Sequence, residues 1–197
     1  TIEGVSLRQA LHEHGFWWLT AAFFFGTLSS VAVAVHLIPF LLADGYTPGF
    51  AAAATGLIGA TQVAARVVVT LAGNRCPAVP LTAAVFALQG VAVLVLLAWH
   101  QASGVLLAVI LLGAGRGAVT LMRASLVAER YGRAHYGAIG GALALFVSGA
   151  AALAPVGAGV AYQVAGGYPV VFAGLGGISR LAALVQGILA GAAFLVV

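Results

Sequence analysis

Arg116 stands inside a stretch otherwise made for lipid. In LLGAGRGAVTLMRASLVAERYGR (111–133) it falls about twelve residues into an apolar run, roughly 18 Å along a helix and close to a bilayer midplane. A cation at that depth costs about 2.5–3.5 kcal/mol on insertion scales, so by default it marks a functional site. Thr120 and Arg123 follow at i+4 and i+7 on the same helix face. Gly115 and Gly117 flank the arginine, which lets a partner or ligand approach its backbone. Asp44 and Glu129 both fall at span ends, so the counter-charge is expected from an anionic solute or from another segment of protein.

A second polar stripe lies upstream. Thr55, Gly59, Gln62 and Arg66 recur at i, i+4, i+7 and i+11, one side of a helix. Such a stripe faces a partner or a wet cavity. Arg66 also lies near a span end, where an arginine can snorkel to headgroups. His36 is a proton-coupling candidate, since an ordinary imidazole titrates near 6.5, although a hydrated histidine near a span end needs no role. Arg180 lies deep in the last span with no role assigned. Ser148-Gly149 lacks a GxSxG frame, and no acid sits at depth to serve it. The single Cys76 allows neither an intrachain disulfide nor a multi-cysteine metal site and reads as a small loop residue. An enzyme, a metal and a cofactor are therefore not expected.

These residues need elements to position them, and composition says which. The chain is 63% hydrophobic and 6% charged, with mean hydropathy +1.14. A soluble domain carries about 25% charged residues. This chain cannot cover a globule with a wetted surface and reads as an all-α integral membrane protein. All eight basic residues are arginines spread singly, so the charge does not form a nucleic-acid face.

Apolar windows of about 20 residues, the length that crosses a bilayer as helix, occur six times: 16–42, 50–71, 81–99, 104–128, 137–164 and 170–197. The connections are short. The N-terminal segment carries Arg8, the second loop Arg75, and the fourth Arg130 and Arg133, whereas the odd loops carry no arginine. Positive charge in short loops marks the cytoplasmic side, which predicts a cytoplasmic N-terminus. Residues 1–15 form a polar linker in which Ser6 is placed to N-cap a short interfacial helix bearing Leu7, Ala10 and Leu11. Trp17 and Trp18 follow as interface anchors. The transmembrane domain is 16–197. On the fifth span Gly140, Ala144, Ser148 and Ala152 recur every fourth residue beside Gly137 and Gly141, which predicts a helix-packing face. Pro155 is expected to kink that span.

The run SLRQALHEHGFWWLTAAFFF followed by HLIPFLLADGYTPGFAAAATGLIG resembles the C-terminal half of a major facilitator superfamily transporter. It is similar to bacterial members near the monocarboxylate and oxalate/formate groups. RVVVTLAGNR resembles the end of the eighth span and the inner-loop motif G-x-L-a-D-R. Here Thr70 stands for the glycine and Asn74 for the aspartate before Arg75, so the motif's acidic partner is missing. GAGRGAVTLMRASLVAERYGRAHYGAIGGALA resembles the tenth and eleventh spans, with APVGAGVAYQVAGGYPVVF continuing them. The resemblance covers nearly the whole chain. It implies six transmembrane helices as half of that fold, built from two inverted three-helix repeats around a central cavity, with alternating access. LLADGY (41–46) and LVAERY (126–131) echo such a repeat. In the carboxylate-carrying groups an arginine at the place of Arg66 is linked to substrate anions.

The expected function is secondary active transport of a small solute, with an organic anion the favoured class. The candidate cavity residues are Arg66, Gln62, Thr55, Arg116 and Thr120. The expected partners are the solute, the lipid bilayer and an N-terminal transporter half. The expected place is the inner membrane of a bacterium. The first residue is Thr and the last span ends while still apolar, so the native chain is expected to be longer. Efflux of hydrophobic compounds is one alternative. A stand-alone six-span interaction protein is another.

Overall fold

Hydrocarbon offers no water to a backbone N–H or C=O, so a chain this apolar must satisfy its backbone within helices. A computed structural model of the chain does so. It describes residues 4–72 and 78–194; Asn74, Arg75 and Cys76 lie outside these. The helices are α1 (Leu7–His12), α2 (His14–Ala43), α3 (Pro48–Ala72), α4 (Ala78–Ala98), α5 (Ala102–Tyr131), α6 (Tyr136–Ala165) and α7 (Tyr168–Phe194). The only pairing outside them among the described residues is an isolated antiparallel bridge between Gly4 and Gly132. Five helices, α2 to α6, are long and apolar enough to cross a membrane. In α7 the stretch Val170–Leu184 is apolar as well. By these helices the chain is an integral membrane protein.

The helix ends differ from the apolar windows where charge and structure part company. The fourth window stops before Glu129, yet α5 runs on through Glu129 and Arg130 to Tyr131. It ends at Gly132, whose φ of 73° suits a residue without Cβ. Gly166 closes α6 in the left-handed conformation. Ser6 caps α1 as its type predicts: its side chain accepts from Gln9 N at 3.3 Å, and its own N–H donates to Gln9 Oε1 at 2.9 Å, a reciprocal capping box.

The principal helix pairs are α3 with α5, α4 with α5 and α7, and α2 with α6 and α7. Two apolar cores result. One gathers Leu37, Leu41, Ile58, Leu96, Leu112 and Phe172. The other gathers Phe16, Phe23, Phe86, Leu126, Tyr131 and Leu143 near the end that carries α1. Between them lies a layer of buried polar residues, Ser29 and Ser30 of α2, Gln89 of α4 and Ser179 of α7, with Arg116 at the middle of α5. Ser29 Oγ donates to Leu175 O and Ser179 Oγ donates to Ser29 Oγ, each at 2.8 Å, which satisfies the α2–α7 seam.

Within this chain the close small-residue packing falls on α5 and not on the α6 stripe. A Cβ placed on Gly137, Gly140, Gly141 or Gly149 of α6 would meet nothing within 4 Å, and Ser148 and Ala152 are exposed. Instead α6 buries Ile139, Leu143, Ala150, Ala154 and Ala158. Close backbone approach occurs on α5. A Cβ on Gly113 would fall on Thr61 and on Ile58 O, and one on Gly117 would fall on Gln62 O. The two glycines, four residues apart, seat α5 directly on α3.

Candidate functional site

Arg116 owes its position to those glycines. With Gly113 and Gly117 turned onto α3 and Gly115 against Gln89 of α4, α5 is held on two sides. The arginine between them projects toward α2. Its Nη1 donates to Ser30 O at 2.8 Å. A charge-assisted bond of this kind contributes about 1.5–3 kcal/mol, and it fixes the guanidinium across the bundle. Arg116 Nε is buried with no partner among the described residues. A guanidinium has five N–H donors, so donors remain beyond the one that Ser30 takes.

Arg116 lines a cavity of about 220 Å³. It lies on the α1 side of the polar layer, since α5 contributes residues from Arg116 to Arg123 and α2 contributes Phe23 to Val31. Arg66, Arg123, Gln62, Thr120 and Gln89 share its lining. Three arginines therefore border one space, and no Asp or Glu is in the lining. Like charges gathered in a partly enclosed site repel unless an anion joins them, and the low local dielectric strengthens both effects.

Of the residues singled out from sequence, Gln62, Arg66, Arg116 and Thr120 come together in this cavity. Thr55 does not line it. Its hydroxyl donates to Ala51 O at 2.9 Å, back into its own helix, and it stands roughly 10 Å along α3 from Gln62 at 1.5 Å per residue. Arg66 is exposed and Gln62 half-buried. His36 is also elsewhere. Its Nε2 lies 3.2 Å from Pro155 O and its ring lies beside Tyr168, a bridge between α2 and α6 in the core away from the cavity. Arg180 is exposed with its aliphatic stem near Gly90 of α4. Asn74 and Arg75 lie outside the described residues.

Sequence reasoning passed over Gln89 and Ser30. Gln89 is the one amide in α4, near its middle, and a lone amide in an apolar span is the signal that was available. Ser30 acts through its backbone carbonyl, which no side-chain pattern announces. Among the described residues no three His, Cys, Asp or Glu side chains gather as a metal site. Neither a family model nor a curated protein sequence matches the chain.

Proposed function

We propose that the chain is one half of a secondary transporter of the major facilitator type and that its cavity receives a small organic anion. The observation that carries the proposal is the meeting of Arg66, Arg116 and Arg123 in one cavity without a carboxylate in its lining. A buried cation without a protein counter-ion is costly, and a solute carrying negative charge supplies what is missing. Gln62 and Thr120 offer hydrogen bonds beside the charges.

The helix pairing supports the inverted repeat. Exchanging α2 with α5, α3 with α6 and α4 with α7 turns the α3–α5 pair into α6–α2, turns α4–α5 into α7–α2, and leaves α4–α7 as it is. That is the relation expected of two three-helix units about an axis in the membrane plane, with α7 as the sixth span. The orientation has its own support. Val5 N donates to Tyr131 O at 3.0 Å, which puts Arg8, Arg130 and Arg133 at one end of the bundle. The turns 44–47, 99–101 and 166–167 contain no arginine or lysine. By the positive-inside rule the α1 end is cytoplasmic, in the plasma membrane of a bacterium. The cavity does no covalent chemistry. It binds and releases, and a second half closes it.

The test is uptake and binding of a panel of short carboxylates by the native membrane polypeptide and by its Arg116→Gln and Arg66→Gln variants. Loss of a charge-assisted contact of about 1.5–3 kcal/mol weakens anion binding about tenfold to a hundredfold. Anion affinity unchanged in both variants refutes the proposal. Transport of apolar compounds instead, equal in all three proteins, establishes the efflux alternative.

A further inference from the structure

Gln89 is 1% exposed, and its Oε1 is buried with no hydrogen-bond partner among the described residues. It belongs to α4, the helix behind α5, yet it lines the cavity. It gets there because Gly115 has no side chain: a Cβ at that position would meet Gln89 Cγ at 2.6 Å and Nε2 at 3.1 Å. Gly115 directly precedes Arg116, so the Gln89 amide packs beside the backbone that carries the guanidinium, and both residues line the cavity. Both carry a buried, unpartnered polar atom, Oε1 of Gln89 and Nε of Arg116. An amide can turn about its last bond and present either its oxygen or its NH₂.

We infer that Gln89 is a specificity-determining residue, selecting among small anions those that carry a hydrogen-bonding group, such as a hydroxyl, next to the charged one. The inference rests on the anion reading of the cavity. Its physical ground is the asymmetry of buried hydrogen bonds. A solute that pairs with the amide gains the bond, while a solute that covers the amide with a methyl or methylene leaves it unpaired in a dry site. Sites built to hydrogen-bond a solute discriminate by this difference far more strongly than apolar pockets do. Arg116 attracts any small anion, and Gln89 sorts them.

The probes are two pairs that differ by one hydroxyl, acetate against glycolate and propionate against 2-hydroxypropionate. Binding to the native membrane polypeptide is measured for each. One hydrogen bond predicts that the hydroxylated member binds about three- to tenfold more tightly. In Gln89→Met, close in shape but without the amide, the ratio falls to about one, because the hydroxyl-free anion no longer leaves an amide unpaired. The same collapse is expected in Gln89→Leu should the methionine variant not assemble. A wild-type ratio near one overturns the inference, as does a preference that survives both substitutions. In either case Arg116-dependent anion binding would stand. If none of the four anions binds the wild type, the anion reading itself fails and takes the inference with it.

Discussion

Replacing Gly117 with alanine puts two known effects in opposition at one atom. In a helix interior alanine is favoured over glycine by about 1 kcal/mol. Yet the new Cβ would collide with Gln62 O and lie 3.0 Å from Gln62 C and Cα. These are backbone atoms of α3 and cannot swing aside. The helices must part by roughly 0.5–1 Å, which forfeits a quarter to a half of the dispersion energy along the seam, the Gly113 contact included. Overpacking of this kind costs about 1–3 kcal/mol. The net expectation is a loss of up to about 2 kcal/mol. Gly140 on α6 supplies the control, because a Cβ there meets nothing within 4 Å. Gly140→Ala should gain up to about 1 kcal/mol from propensity alone. The assay is unfolding by SDS titration in mixed micelles, followed by far-UV circular dichroism. Gly117→Ala should lower the midpoint relative to Gly140→Ala, by about 1–3 kcal/mol. Equal midpoints would refute the direct seating of α5 on α3, and with it the account of how Arg116 is aimed.

Two further outcomes test other parts of the structure. Ser29→Ala should cost about 1 kcal/mol, and Ser29→Ala with Ser179→Ala should cost less than the sum of the single changes, because the hydroxyls share one bond; strict additivity in the same SDS titration contradicts that bond. Ser6→Ala removes half of a reciprocal cap worth about 1 kcal/mol from a helix of six residues. Amide exchange at Gln9 should quicken by about fivefold without a change in the global midpoint, and an unchanged exchange rate counts against the cap.

Five of the six expected spans, α2 to α6, were legible because one quantity, apolar length, decides whether a helix crosses a bilayer, and hydropathy measures it directly. Ser6 was legible for a similar reason, since a cap is local. The cavity was legible in part. Arg116 and Thr120 share a helix face, as do Gln62 and Arg66, and periodicity within one helix finds such pairs. Periodicity does not say how far along the helix the neighbours reach, so Thr55, on the same stripe as Gln62, falls outside the cavity. Nor does it rank competing faces of one helix. The glycine stripe of α6 looked like a seam, but the face carrying Ile139 and Leu143 is buried instead. Gln89 was hidden for a third reason. It acts across a helix boundary through a gap at Gly115, and only the packing of α4 on α5 brings the two together.

The bridge between Gly4 and Gly132, with the bond from Val5 N to Tyr131 O, has a mechanical consequence. The bond ties residue 5 to the last residue of α5 at the α1 end of the bundle. Gly132 is also the residue on which α5 ends. Residues 4 and 5 and the end of α5 are therefore tied to one another, so a displacement of that end of the helix is shared with them.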